Sequence, residues 1–153
     1  MTRQGYSVAG LLLEGKREEV PVDFKVPWRL RRGEKVFHVK KLCHANGIPM
    51  AIEESHLVLR LVPGLERQNL LWPLYETIFH RLGVPFLRAS QVAWPDLPTA
   101  GQAELLGIKA FTPVLTMERV VFTTGDEPLA LVRMTYRGDL YRRRVEIRPI
   151  GGR

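Results

Sequence analysis

Four side chains of the kinds that most often hold metal ions fall within the first 56 residues: His38, Cys43, His44 and His56. Their spacing does not match the paired-ligand pattern of a structural zinc site. In an extended segment, His38 and Cys43 also project to opposite faces. No metal site and no cofactor is therefore expected. Arg88 and Ser90 stand two apart in an apolar stretch with strand character, and so share a face. A guanidinium grips a carboxylate or phosphate through two parallel bonds, which makes Arg88 a candidate anion clamp with Ser90 beside it. Asp139, directly after Gly138, is a turn cap rather than a catalytic acid. Trp28, Trp72 and Trp94 are read as packing groups.

The bulk properties narrow the classes. The chain has 153 residues, 45% hydrophobic and 25% charged, which suits one domain with a real core. A formal charge of +7 favours an anionic partner: nucleic acid, a phosphate or a carboxylate. The cations are dispersed, with clusters at Arg29, Arg31, Arg32 and Lys35 and at Arg142, Arg143 and Arg144. Such clusters serve as solvated faces and as charged strand edges. No helix-turn-helix, zinc-finger or aromatic stacking motif stands in the sequence. No apolar run approaches the roughly 18 residues that span a bilayer, and the run from Val8 to Leu13 is too short for a signal peptide. Cys43 is the only cysteine, so no disulfide forms within the chain and the cytoplasm is the expected compartment.

One stretch is written twice. Val36 matches Val114, Lys41 matches Arg119 and Gly47 matches Gly125, each 78 apart; Pro49 then matches Pro128 and Ala51 matches Ala130, each 79 apart. Each copy is strand, glycine turn, strand, which predicts two related hairpins in one sheet. Asn46-Gly47 is a strong signal for a tight turn. Strands are predicted over Val20–Val26, Val36–Cys43, Pro49–Leu59, Val84–Val92, Val114–Phe122, Pro128–Arg137 and Leu140–Ile147, with Pro95 and Pro98 ending the fourth. Leu74, Ile78 and Leu82 after Pro73 predict a helix closed by Gly83. Thr99 and Gln102 predict a capping box. Residues 1–16 show no period, so residues 1–19 are taken as an arm or linker and 20–150 as the domain. The expected class is α+β, a largely antiparallel sheet with a few flanking helices.

These motifs, in their order, resemble the UTRA domain, the effector-binding module of GntR-type bacterial transcription regulators of the HutC subfamily. The resemblance rests on E-K-V-F-H-V-K-K, N-G-I-P-M-A-I-E-E-S, V-P-G-L-E, L-Y-E-T-I before L-G-V, A-E-L-L-G-I, P-V-L-T-M-E-R-V, and E-P-L-A with Y-R-G-D-L-Y, from Glu34 to Ile147. It implies the chorismate lyase-like fold. The family's usual N-terminal winged helix is not in this sequence, although Arg3-Gln4-Gly5 looks like the tail of a wing. Three readings stay open: an excised effector domain, a late start codon, or a natural UTRA-only protein. The segment before Val36 is also shorter than the strand-helix unit of many members.

The resemblance also implies a pocket. Its lining positions fall at Lys41, Cys43, Glu53, Ala130 and Tyr136, with Met134 sharing the face of Tyr136 and with Arg88 and Ser90 on a further lining strand. Sugar-phosphate-sensing members carry cations at the first two positions and acids at the next two. Lys41 and Glu53 keep that charge; Cys43 and Ala130 do not. A less charged, more apolar pocket follows, suited to a carboxylate or another mono-anion. Lys41 and Glu53 could equally pair with each other. Arg133 and Arg137, opposite Tyr136, would face solvent or a partner subunit. The implied function is a ligand sensor without chemistry of its own. It would be a homodimer, reaching DNA only through a winged helix and having no membrane contact. Two alternatives remain: a chorismate lyase-like enzyme using Arg88 and Glu53, or a UTRA-only protein acting through partner dimerisation.

Overall fold

The computed structural model describes residues 8–19, 30, 33–71, 73–149 and 151. Among the described residues, six strands form one sheet: β1 (Val8–Glu19), β2 (Lys35–Ala45), β3 (Ile48–Val58), β4 (Phe86–Asp96), β5 (Val114–Thr123) and β6 (Pro128–Arg137). Their spatial order is β1-β2-β3-β6-β5-β4, and every neighbouring pair is antiparallel. The predicted class is therefore the observed one.

Both predicted hairpins are present. Asn46 (φ 51°) and Gly47 (φ 76°) take the left-handed conformation that lets a two-residue turn match the strand twist. The hairpins join through their second strands, β3 and β6. Here Glu54 stands opposite Arg133, 79 residues later in the chain. That is the repeat offset, so a residue pairs with its own counterpart. Ala51 likewise faces Tyr136, and Leu57 faces Ala130. An approximate two-fold axis, normal to the sheet, thus passes through the Glu54–Arg133 pair.

Register carries this order across five strands, because cross-strand partners share a face. One row reads Lys41, Glu53, Met134, Met117, Ala93; the next reads Val39, Ser55, Val132, Arg119, Gln91. The opposite face carries Glu14, Lys40, Glu54, Arg133 and Glu118 in one row, alternating in sign.

Two short helices cover opposite faces. α1 (Leu74–Glu76) widens into a π-helical turn at Thr77–Arg81, where Leu82 N–H reaches back to the Thr77 carbonyl at 2.9 Å. Its apolar residues Leu74 and Ile78, with Val62 and Leu65 from the preceding loop, bury Phe37, Val39, Leu57, Val121 and Ala130. α2 (Ala100–Leu106) sets Leu106 against Leu42, Ile52 and Val114 on the other face. The capping box is realised: Gln102 N–H donates to Thr99 Oγ1 at 3.2 Å, and Thr99 N–H donates to Gln102 Oε1 at 3.0 Å.

Four expectations change. The stretch taken as an unpatterned arm contains β1, paired along its length with β2; a bulge between Leu12 and Glu14 breaks the alternation that would have revealed it. The strand expected to stop before Pro95 runs to Asp96, because β4 is an edge strand and tolerates a residue without an N–H. The stretch from Leu140 to Ile147 is irregular and mostly exposed, with no strand paired to it. Arg133 and Arg137 are occupied within the domain rather than aimed at solvent. Arg133 binds buried Glu118 (2.8 Å), and Arg137 binds Asp139 (2.9 Å) and the carbonyls of Pro49 and Leu106. The predicted strand over Val20–Val26 lies outside the described residues, as do Trp28 and Trp72.

β6 leaves the sheet at Gly138, whose N–H bonds the Pro113 carbonyl at 2.9 Å. A Cβ at Gly138 would run into that same carbonyl, a backbone group that cannot swing away. Gly138→Ala should destabilise the domain by about 1–3 kcal/mol. Gly101→Ala, in α2 with open space around it, should be neutral or stabilising by up to about 1 kcal/mol. Urea unfolding of both variants checks the contrast, and equal midpoints would contradict it.

Candidate effector pocket

The helical cap covers only part of its face. Beyond it, Ala51, Met117, Met134 and Tyr136 form an apolar floor, with Cys43, Leu115, Val132 and Tyr141 packed against them. Tyr141 stacks on Tyr136 with ring centroids 4.0 Å apart. Polar groups stand on this floor at its centre. Lys41 is 4% exposed, and its ammonium lies 3.6 Å from Glu53 Oε1. Ser55 donates to the same carboxylate oxygen at 3.1 Å. Lys41 and Glu53 do therefore pair, as direct cross-strand partners.

A second cation enters from the far side. Arg119 donates to Gln91 Oε1 through Nε (2.8 Å) and Nη2 (2.6 Å), and to the Tyr75 hydroxyl through Nη1 (3.2 Å). The β2 and β5 backbones are three interstrand spacings apart, about 14 Å. Lys41 and Arg119 thus stand on one face of the sheet, on either side of the β3–β6 floor. Arg119 is the repeat counterpart of Lys41. Residue typing along the chain did not single it out; the repeat was the signal that could have.

Of the expected lining residues, Lys41, Cys43, Glu53, Met134 and Tyr136 share this face. Arg88 and Ser90 do not join them. Arg88 pairs with Phe122, and Ser90 with Val120, on the opposite face. The unbroken register from Arg88↔Phe122 to Asp96↔Val114 places them there. Arg88 donates to Asp126 at 2.8 Å and stacks 3.8 Å over the Phe122 ring. The candidate clamp of Arg88 with Ser90 is thereby separated from Lys41 and the rest of this face, and the lyase arrangement of Arg88 with Glu53 is corrected likewise: the sheet stands between them. Cys43 and His44 likewise project away from each other. His38 and His56 are direct partners across β2 and β3, a closeness that chain spacing does not show.

A cleft of about 220 Å³ lies elsewhere, lined by Arg17, Leu59, Val62 and Gly64–Arg67. Its Arg17 and Glu66 bond each other at 2.8 Å, and it holds none of the convergent groups of the pocket. The central floor is the better site on chemistry.

The chain was compared with known proteins. Residues 3–142 match the UTRA domain family. The chain belongs to that family. It is an effector-binding domain of the kind carried by GntR-family transcription regulators. It is 34% identical over 97 residues to the HTH-type transcriptional repressor NagR of Bacillus subtilis, covering 63% of this chain and 40% of that protein. It is 32% identical over 108 residues to the repressor PhnF of Mycolicibacterium smegmatis, covering 70% and 44%. The chain thus spans less than half the length of these relatives. The C-terminal domain of the histidine utilization repressor of Pseudomonas syringae has the same fold, with a TM-score of 0.82 at 21% identity over 94% of this chain and all of that one. The relatives are regulators rather than enzymes. Among the described residues, no helix is long and apolar enough to cross a membrane.

Burial shapes the reactivity of this candidate site. It pushes the Cys43 thiol up to about 11, helped by Glu53 and opposed by Lys41. Tyr136 is raised too, by burial first and then by Tyr141. Since the thiolate is the reactive form, Cys43 should alkylate slowly at pH 8 and accelerate towards pH 11. Glu53→Gln, which removes the carboxylate, should move the inflection to lower pH. Iodoacetamide rates followed by mass spectrometry decide this cleanly, because Cys43 is the only thiol; an inflection near pH 8.5 in the unmodified chain would overturn it.

Proposed function

We propose that this domain senses a small mono-anionic metabolite, held between Arg119 and Lys41 above the Met117–Met134 floor. The observation that carries this reading is the unequal state of the two cations. Lys41 already faces a carboxylate, whereas Arg119 is held by neutral partners, Gln91 and Tyr75. One positive charge is thus left to meet one negative charge. A guanidinium held in place by three bonds loses little entropy on binding, so it suits a carboxylate.

Glu53 and Ser55 would receive a donor group on the ligand. Cys43, Met134 and Tyr136 would pack against its apolar part. Loss of a cation at Cys43 and of an acid at Ala130 disfavours a doubly charged amino-sugar phosphate. The sensor role follows from binding that differs between two domain arrangements. In the intact regulator, a winged helix would bind DNA and a homodimer would match a two-fold operator. The cytoplasm is the compartment that fits such a regulator.

A thermal-shift screen of mono- and dicarboxylates, sugar phosphates and amino-acid breakdown products tests the reading. A ligand that binds only the folded domain raises Tm. Arg119→Ala and Lys41→Met should each weaken a hit about tenfold to a hundredfold, the scale of a lost bond to a charged group. Arg88→Ala, on the other face, should leave it unchanged. A hit that survives Arg119→Ala but is lost in Arg88→Ala would overturn the assignment.

A further inference from the structure

The face opposite the pocket holds a second cluster that effector binding does not use. His38 of β2 and His56 of β3 are cross-strand partners, and Lys16 of β1 stands opposite His38. Glu18, two residues on, shares that face. Its Oε1 lies 3.1 Å from His56 Nε2 and 3.4 Å from His38 Nδ1. Glu14 Oε2 lies 4.0 Å from the same His38 nitrogen. One ligand atom from each of Glu18, His38 and His56 can be chosen so that all lie within 4.8 Å of one another.

The cluster is poorly explained as packing. His38 is 8% exposed and His56 3%. Their rings stack with centroids 4.3 Å apart and planes 6° from parallel. Neither ring nitrogen of His38 has a hydrogen-bond partner among the described residues. A buried polar atom left so costs stability, and an apolar pair would sit more favourably beside Leu131 and Val120 in the same row.

We propose that Glu18, His38 and His56 form a binding site for a divalent transition-metal ion, with Glu14 or a water as the fourth ligand. Two imidazoles and a carboxylate suit zinc, whose bonds of about 2.0–2.2 Å put tetrahedral ligand atoms about 3.3 Å apart. Both Glu18 distances already match. The remaining movement is a tilt of the stacked rings, so that their lone pairs converge. The local charge is favourable: Glu14, Glu18, Glu54 and Glu118 outnumber Lys16, Lys40 and Arg133. Lys16, 2.6 Å from Glu14 and 3.8 Å from Glu18, is the cation the metal displaces. A bound ion would fasten the edge strand β1 to β2 and β3.

The full chain, stripped with chelator, would be titrated with Zn²⁺ by calorimetry and with Co²⁺ by visible absorption. One equivalent should bind, with a tetrahedral cobalt spectrum and a raised Tm. Glu18→Gln, a change at a partly exposed position, should weaken binding at least about tenfold. His56→Asn should do the same, while His44→Gln and His80→Gln should not. If the buried histidine variant fails to fold, Glu18→Gln decides alone. Absence of saturable binding in the unmodified chain, or equal affinity in Glu18→Gln, would sink the proposal. Effector binding, read on the other face, stands or falls separately.

Discussion

The register of β3 against β6 is the constraint on which both faces depend. These are the two central strands, and a slip of one residue would turn every side chain on one of them to the wrong face. Glu53 and Ser55 would move under α2, and His56 would move into the cap of α1. The register is held by charge as well as by apolar alternation. Glu14, Lys40, Glu54, Arg133 and Glu118 alternate in sign across five strands. Lys40 lies 3.5 Å from Glu54, and Arg133 lies 2.8 Å from Glu118. The Glu118 side chain is fully buried, so a slip that turns β6 over against β5 as well parts it from Arg133 and leaves an uncompensated charge inside the protein, at a cost of about 3–5 kcal/mol. That penalty is comparable to much of a domain's net stability. A slipped sheet is therefore not a near neighbour in energy.

The approximate two-fold symmetry explains why a pocket exists, and the departures from it explain why there is one. Two related hairpins place a cation on each outer strand, Lys41 and Arg119, pointing over a shared floor. The coverings do not obey the symmetry. α1 covers one end of this face and supplies Tyr75, whose hydroxyl accepts from Arg119. At the other end, Tyr136 and Tyr141 close the floor. The counterpart of Glu53 across the axis is Val132, and that of Ser55 is Met134, so acid and hydroxyl occur once only. A symmetric sheet thus becomes a site with a polar side near β2 and β3, an apolar side near β6, and a single cation with neutral partners at its far edge.

Much of the sheet was legible because its cues are local. Asn46-Gly47, the repeat of Val36–Ala51 in Val114–Ala130, and the Thr99–Gln102 box each fix a turn or cap without help from elsewhere. β1 was not legible, since the Leu12–Glu14 bulge interrupts its alternation and its apolar run is partly exposed. The site was half legible. Alternation correctly grouped Lys41 with Cys43, and Met134 with Tyr136, within their own strands. It misplaced Arg88, because parity along one strand says nothing about which face of the sheet that parity meets. The register of Arg88–Asp96 against Phe122–Val114 decides that, and it is a property of the pairing with β5. His38 and His56, 18 residues apart, meet for the same reason: only the hairpin register makes them partners.

A consequence of this construction is that the two faces are not independent. Along β3, Glu53 and Ser55 belong to the pocket, Glu54 to the charge row, and His56 to the histidine cluster. Four consecutive residues thus share one backbone segment among three sets of contacts. The interior around them is packed closely enough that Leu57, Val58 and Ile52 have essentially no exposure, so the strand cannot shift on one side alone. A ligand that draws on Glu53 competes with Lys41 and Ser55, and whatever displacement it causes is delivered to Glu54 and His56 through the peptide bonds between them. From there β1 is the next element, held through Glu18 and Glu14. β1 is an edge strand with one partner and an interrupted ladder, which makes it less restrained than the central strands. The physical route by which occupancy of the pocket could bias a second arrangement therefore runs through β3 and β2 to β1, and it requires no movement of the β3–β6 register that holds the rest in place.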